Sequence, residues 1–208
     1  MGNCTKCSNQ GYEFHRQYEP SEFIEGDPNS PVWIIGLNPA MELGFNDTSD
    51  LSKLRMHLKE MKHEVSYFRD FRGVSKQLFD DLGEPNGVAH TDIVKCYSKR
   101  FPTGKNGSEL VSNCQEYLKE QIERHRPQLL ICNGAKVSDY VCSILPATED
   151  ETNCDTSYWH TEPDYNVCVV LSGFLGRIDR FARLRLGREI EARRLECAAK
   201  MSNKQKAA

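Results

Sequence analysis

Four short apolar runs, separated by stretches with helical spacing of apolar residues, constrain the fold of this chain more than any other feature of its sequence. The runs are Val32–Ile35, Val88–Val94, Leu129–Cys132 and Val167–Leu171. Each run carries apolar residues on both faces, as strands do when helices cover both sides of a parallel sheet. The alternation predicts an α/β fold, a three-layer α/β/α sandwich around a central, mainly parallel sheet of four strands.

Apolar residues at helical spacing predict the helices between these runs. One helix covers Leu51–Met61, with Ser49 or Asp50 as its N-cap, and a second lies near Val74–Leu82, closed by Gly83. Further helices are predicted for 108–126 (capped by Ser108), 135–145 and 177–199, and the polar residues 146–166 are predicted to form a loop.

The chain length and charge narrow the class of protein. The 208 residues are 38% hydrophobic and 27% charged, which suits one soluble globular domain, expected over 1–200 with a disordered tail at 201–208. The net charge of −3 gives no overall basic field, so any nucleic-acid surface must be local. No apolar run approaches the roughly 20 residues of a membrane span, and the first residues lack the apolar segment of a signal peptide. We therefore expect an intracellular monomer, cytoplasmic or nucleoid-associated, without a membrane partner.

The first apolar run ends in a tight polar loop, Gly36-Leu37-Asn38-Pro39-Ala40. In open α/β sheets, ligands bind beyond the carboxyl ends of the strands. Because proline fixes its own φ and restricts the preceding residue, this loop would hold the Asn38 side chain rigidly. The alternative is an ordinary turn, because Asn-Pro is a common turn pair.

Nine cysteines are many for a chain without a signal peptide, and an odd number argues against a disulfide framework. Cys4 and Cys7 form a C-x2-C pair. Such a pair is half of a zinc site, half of an iron–sulfur site, or a chance pair in a frayed terminus.

Two segments are candidates for contact with nucleic acid. Residues 97–107 interleave Lys and Arg with Tyr97 and Phe101, which suits a phosphate backbone with exposed bases. The last predicted helix carries seven arginines, beginning with Arg177 and Arg180 on one face. In both segments the alternative is an ordinary solvated surface.

Several short motifs occur in an order typical of one family. GLNPA (36–40) resembles a G-x-x-P-G/A motif, and Phe71-Arg72-Gly73 resembles a Phe-x-Gly motif that precedes a helix. Residues 90–96, HTDIVKC, resemble a T-N-x-V-K-C strand, and Cys114 with RPQLLICNGA (126–135) resembles the segment that follows.

Together these motifs resemble the uracil-DNA glycosylase superfamily, and most closely its iron–sulfur branch, family four. The resemblance covers about Cys4 to Arg188. It implies that Cys4, Cys7, Cys96 and Cys114 hold a [4Fe-4S] cluster, with zinc as the alternative, and that the remaining cysteines are not ligands.

The resemblance also implies roles around a base flipped out of DNA. Asn38 would position the water that attacks the sugar, and Phe71 would stack on the base. Phe71 has an alternative as a core residue. The remaining positions implied are Gly36 and Leu37 beside the base, and Pro39, Ser172, Gly173 and Arg177 against the DNA.

Asp92 departs from the family motif, which has Asn at this position. The resemblance implies that the Asn amide donates to O4 of uracil and accepts from its N3–H. An ionised Asp only accepts, so it would oppose O4 but suit an exocyclic amine such as that of cytosine. A protonated Asp can donate if burial raises its pKa. We therefore expect an altered base preference or weakened uracil activity.

A second departure removes the histidine of the family's H-P-S-x-x-R motif. Residues 171–177 read LSGFLGR, so Ser172 stands where the leaving base would need a donor, and Arg177 matches the motif's arginine. His90 and His160 are candidate replacements.

The expected function is therefore a DNA glycosylase acting on uracil or another deaminated or altered base. Three alternatives remain: a weak or inactive DNA-binding relative, a glycosylase for a different modified base, and a structural zinc module. A glycosylase would act on single- or double-stranded DNA.

Overall fold

The computed structural model describes residues 3–39, 50–98, 100–148 and 156–207. The sequence-based predictions at Ala40, Ser49, Lys99 and Cys154 lie outside these residues. The described chain confirms the α/β class: a five-stranded, mostly parallel sheet lies between two layers of helices.

The central sheet has the strand order β4-β3-β5-β7-β6. Its strands are β3 (Val32–Gly36), β4 (Val88–Asp92), β5 (Leu129–Cys132), β6 (Ser157–Glu162) and β7 (Tyr165–Val170). A separate two-stranded sheet pairs β1 (Asn3–Cys4) with β2 (Phe14–His15). The helices are α1 (Leu51–Met61), α2 (Ser66–Arg69), α3 (Lys76–Asp80), α4 (Gly104–His125), α5 (Ala135–Ile144) and α6 (Arg180–Ala207).

The sequence predicted four strands, whereas the central sheet has five, and the additional strand is the edge strand β6. β6 lies within 146–166, the stretch predicted to be a loop, and pairs antiparallel with β7. The register ends at Glu162 opposite Tyr165, so only two residues separate the strands. The polar residues around β6 concealed it, because composition alone does not reveal an edge strand that pairs through a tight hairpin.

Three helix boundaries also differ from the predictions. α4 begins at Gly104, so Ser108 is an interior residue and its hydroxyl donates to the Gly104 carbonyl at 3.3 Å. α6 begins at Arg180, where the Asp179 carboxylate accepts from the amides of Phe181 and Ala182, and it continues past Ala199 to Ala207. At α1, the Asp50 side chain accepts from the Lys53 amide, which confirms the predicted cap.

Each face of the sheet has its own apolar core. α4 and α5 pack on one face through residues such as Leu118 and Val141, and α2, α3 and α6 pack on the other through Phe68, Leu78 and Ile190. Burial on both faces holds the parallel strands in register. Among the described residues, no helix has the length and apolar character needed to cross a bilayer.

Candidate active site

The carboxyl ends of β3 and β4 are joined by main-chain hydrogen bonds that continue beyond the sheet. The amide of Ile93 donates to the Gly36 carbonyl, and the amide of Val94 donates to the Leu37 carbonyl, both at 3.0 Å. The two loops therefore form one rigid unit at this edge of the sheet, where α/β proteins place their ligands.

Asn38 is held by two carbonyl groups. Its side-chain nitrogen donates to the Ser98 carbonyl at 3.0 Å and to the Pro39 carbonyl at 3.1 Å. These two contacts use both amide hydrogens and fix the orientation of the side chain. The side-chain oxygen remains as the acceptor that Asn38 can offer a bound water.

Gly36 is the centre of a polar cluster. A Cβ on this residue would lie 2.2 Å from Oδ1 of Asp92 and 2.9 Å from both Nε2 of His90 and the Tyr67 hydroxyl. Three polar groups therefore converge over the glycine, and only a residue without a side chain fits beneath them.

A buried carboxylate connects this cluster to a second histidine. Glu25 contacts Nδ1 of His90 through one oxygen and Nδ1 of His57, at 2.5 Å, through the other. The far side of the His90 ring faces the Tyr67 hydroxyl at 3.2 Å and Oδ1 of Asp92 at 3.8 Å. Imidazole rings and carboxylates thus alternate along His57, Glu25, His90 and Asp92.

The pKa values follow from these contacts. Burial alone would raise the pKa of Glu25, but hydrogen bonds from His57 and His90 lower it to about 2. Burial opposes protonation of His90, yet the charges of Asp92 and Glu25 raise its pKa. Burial also raises the pKa of Asp92 to about 6, with His90 opposing the shift. Asp92 is therefore mostly ionised at neutral pH and mostly protonated below pH 6.

Asn133 follows β5 at the same edge of the sheet. Its main-chain amide donates to the Ile35 carbonyl, and its side-chain oxygen accepts from the Leu175 amide, both at 2.9 Å. The side chain is buried next to the Tyr67 hydroxyl, but its nitrogen makes no hydrogen bond within the described chain.

Two aromatic side chains other than Phe71 border the cluster. Phe71 is fully buried, and its ring meets the edge of Tyr67. Tyr67 in turn stacks on Phe174, with ring centres 6.4 Å apart, and Phe174 is 43% exposed. Phe71 thus supports Tyr67 from the core, and Tyr67 with Phe174 forms the more accessible aromatic surface.

The segment after β7 lies against the end of β5. The Ser172 hydroxyl is 2.7 Å from the Cys132 carbonyl and 2.9 Å from the Gly173 carbonyl, so its single proton is engaged by the main chain. Gly173 and Arg177 are exposed. The structure therefore leaves Gly173 and Arg177 exposed to solvent, and gives the Ser172 hydroxyl a partner within the chain.

The two histidines considered as replacements for the missing one lie far apart in the sheet. His90 is on β4 within the cluster, whereas His160 is on the opposite edge strand, β6, with its ring bonded to the Pro146 carbonyl at 2.7 Å.

The four cysteines of the family motif influence one another electrostatically. The pKa of Cys96 is raised by its hydrogen bond to Cys114, then by burial and by the charges of Cys114, Cys7 and Cys4. Asn113 donates to the sulfur of Cys7 at 3.4 Å, and Tyr117 donates to that of Cys4 at 3.3 Å. Within the described ranges, however, no three His, Cys, Asp or Glu side chains are arranged to hold a single metal ion.

Four residues of the cluster and its support were not assigned roles from the sequence: Glu25, His57, Tyr67 and Asn133. Glu25 and His57 lie in stretches with no strand or motif signal to mark them. Asn133 did carry a signal, because a polar residue directly after a buried strand lies at the ligand-binding edge of a parallel sheet.

Comparisons with known proteins agree with this geometry. The sequence model of the uracil DNA glycosylase superfamily matches residues 23–177. A type-5 uracil-DNA glycosylase of Pyrobaculum aerophilum is 31% identical over 128 residues. That match covers 59% of this chain and 53% of the relative, so the chain spans about half of that protein's length. Because the superfamily match extends from the segment before β3 to the segment after β7, this chain belongs to the uracil DNA glycosylase superfamily.

Proposed function

We propose that this protein is a DNA glycosylase that hydrolyses the N-glycosidic bond of uracil or of another deaminated or altered base, within base excision repair. The observation that supports this most directly is the polar cluster over Gly36, next to an Asn38 whose orientation is fixed. Such an enzyme would act on DNA inside the cell.

The first chemical requirement is an oriented water. Both amide hydrogens of Asn38 are engaged, so its side-chain oxygen would accept a hydrogen bond from the water and direct it at C1′ of the sugar. A neutral amide does not remove the proton. Asn38 would therefore act through orientation, while positive charge develops on the sugar.

The second requirement is stabilisation of the departing base, which carries negative charge. Residues 171–177 contain no histidine, and the Ser172 hydroxyl is bonded to the main chain. Burial opposes the charged form of His90, but Asp92 and Glu25 raise its pKa, and we assign this ring to the departing base. At 3.8 Å from Asp92, the ring offsets a carboxylate that would otherwise oppose an anionic leaving group.

A [4Fe-4S] cluster is part of the proposal, held by Cys4, Cys7, Cys96 and Cys114. Four thiolates are the usual ligand set, and these thiols are near enough to perturb one another. Zinc is the alternative, because four cysteines also form a zinc site. When bound, the cluster would fasten the N-terminal segment to α4.

The proposed DNA surface includes Pro39, Gly173 and Arg177. Phe174 and Phe181 are exposed beside the same segment. Exposed aromatic rings next to arginines suit unpaired bases and phosphates.

The second candidate is a catalytically weak or inactive relative that binds DNA. The missing histidine and the engaged Ser172 hydroxyl favour it. Loss of one such donor costs about 10²–10³-fold in rate in other enzymes.

The deciding experiment is a glycosylase assay on single- and double-stranded oligonucleotides that carry uracil, hypoxanthine, xanthine or cytosine. Alkali would reveal abasic sites, and Asn38→Ala would serve as the control. Cleavage that Asn38→Ala abolishes supports the enzyme. DNA binding without cleavage of any base supports the second candidate.

A further inference from the structure

Asn133 presents a buried amide nitrogen without a close hydrogen-bond partner in the described chain, and the Tyr67 hydroxyl, with which this amide interacts, would take at most one of its two hydrogens. The residue is 3% exposed, and its side-chain nitrogen has no hydrogen-bond partner. Its side-chain oxygen is held by the Leu175 amide, so the amide cannot turn over to satisfy the nitrogen without losing that bond. Native proteins pair almost all buried polar groups, and exceptions call for an explanation.

The register places Asn133 and Asp92 on either side of Gly36, above which the Asp92 carboxylate, the His90 ring and the Tyr67 hydroxyl converge. Gly36 pairs with Asp92, and Ile35 pairs with Cys132, so Asn133 lies level with Gly36 on the next strand. Residues at the same level of neighbouring parallel strands point to the same face. Adjacent strands are roughly 4.8 Å apart, and Gly36 supplies no side chain to fill the gap between Asp92 and Asn133.

Tyr67 lies over this gap and completes its set of polar groups. Its hydroxyl is close to both Asn133 and Asp92. The hydroxyl also contacts Nε2 of His90 at 3.2 Å. When His90 is protonated, Nε2 donates to the tyrosine oxygen, which leaves the tyrosine proton free for the site. Asn133 and Tyr67 therefore offer two donors on one side of the gap, and Asp92 offers an acceptor on the other.

We propose that Asn133 determines base specificity by donating to a carbonyl oxygen of the flipped base, while Asp92 accepts from the adjacent ring N–H. This inference rests on the proposed function and defines its substrate class as bases with a lactam edge, such as uracil and hypoxanthine. A carbonyl oxygen has two lone pairs and accepts from both Asn133 and Tyr67, whereas cytosine places an amine donor there and an unprotonated ring nitrogen opposite Asp92.

The proposal is tested by binding to DNA that resists hydrolysis. The probes are oligonucleotides with one 2′-fluoro nucleotide that carries uracil, 2-pyrimidinone (which lacks both O4 and N3–H) or cytosine. We expect the wild-type protein to bind the uracil probe about ten-fold or more tightly than the 2-pyrimidinone probe, because each lost base contact discriminates by about this much. It should also prefer uracil to cytosine.

Asn133→Asp is the matched variant, because it keeps the oxygen that accepts from Leu175 and replaces only the donor. It should reduce the preference for uracil about ten-fold, because the donor to the carbonyl oxygen is lost, whereas the contact of Asp92 with the ring N–H remains. Asn166→Asp, the same chemical change on β7 away from the cluster, should leave the preference intact. Thermal unfolding of each variant verifies that it is folded.

Equal wild-type affinity for uracil and 2-pyrimidinone, or a preference for cytosine, would overturn the assignment even if Asn133→Asp does not fold. An unchanged preference in a folded Asn133→Asp variant would overturn it as well. Failure of the enzyme proposal is distinct: the wild-type protein would discriminate between the probes without releasing any base from ordinary DNA.

Discussion

Nε2 of His90 lies 3.8 Å from Oδ1 of Asp92, and the other nitrogen of the same ring contacts Glu25. One imidazole therefore links the residue that would face the base to a carboxylate buried behind the sheet edge. Glu25 stays ionised down to a pKa of about 2, and its charge contributes to the raised pKa of His90. The cluster over Gly36 then behaves as one coupled acid–base unit.

The coupling within this cluster is tested by comparing the pH dependence of uracil excision in wild type and in an Asp92 variant. The neutral form of Asp92 is fully present below its ordinary pKa of 3.8 and is lost as pH rises through about 6. In the wild-type protein, uracil excision should therefore rise as pH falls from 8 to 5.5, because a protonated Asp92 no longer opposes the negative charge of the departing base. Asp92→Asn should excise uracil faster than wild type at pH 8, with less advantage at pH 5.5. A variant with no gain at pH 8 would contradict the role given to Asp92.

The same substitution should stabilise the protein at neutral pH. The shift from 3.8 to about 6 means that ionising Asp92 in the folded state costs on the order of 3 kcal/mol. Asp92→Asn removes that cost, so its free energy of unfolding in urea should exceed that of wild type at pH 8 and approach it near pH 4. Equal stabilities at pH 8 would show that the carboxylate is better solvated than its burial indicates.

Gly36→Ala should inactivate the protein. The new methyl group would lie 2.2 Å from Asp92 Oδ1 and 2.9 Å from His90 Nε2, so these groups must move. Overpacking of this kind costs about 1–3 kcal/mol of stability. Gly73→Ala is the control, because its Cβ would meet nothing closer than 3.6 Å. Excision rates and urea unfolding measure both effects, and a fully active Gly36→Ala variant would refute the described geometry.

Asn38→Asp should be no better than Asn38→Ala. An aspartate oxygen in place of the amide nitrogen would face the carbonyls of Ser98 and Pro39 without a proton to share. The loop would shift, and misplacement of about 1 Å can cost 100-fold in rate. Single-turnover excision of uracil compares the variants. Higher activity in Asn38→Asp than in Asn38→Ala would indicate a general base, not an orienting amide.

Cys96→Ser and Cys114→Ser should each abolish iron binding. Protein purified without air should carry about four irons per chain and be brown, and each substitution should remove both properties. Cys142→Ser is the control because Cys142 is half-buried on α5 and is not among the proposed ligands. Elemental analysis measures the metal content of each protein. One zinc per chain without iron would show that the site binds zinc and not a cluster.

Arg177→Gln should weaken DNA binding to a similar extent for every base. Arg177 is exposed beside the cluster, and loss of one phosphate contact lowers the slope of log affinity against log salt by about 1. Arg124→Gln is the control, because Arg124 is paired with Glu120 at the end of α4, which leads into the amino end of β5 and not into the carboxyl ends of the strands. A change confined to one base would instead place Arg177 against the base.

The sequence predicted the parallel strands and the GLNPA loop because each is a local signal. Residues 32–35 are continuously apolar, and Gly36 and Pro39 punctuate them. The link from Glu25 to His90 was not predictable, because it joins an irregular segment to a strand 65 residues later. The hairpin of β6 and β7 was also missed, because an edge strand flanked by polar residues carries little periodic signal.

The bare glycine between Asp92 and Asn133 has a consequence for engineering. Acceptance and donation of hydrogen bonds are divided between two strands, with no side chain on the strand between them. Carboxylate or amide at each of the two positions gives four hydrogen-bonding combinations on an unchanged backbone. We therefore expect substitutions at Asp92 and Asn133, singly or together, to change which damaged base the protein selects.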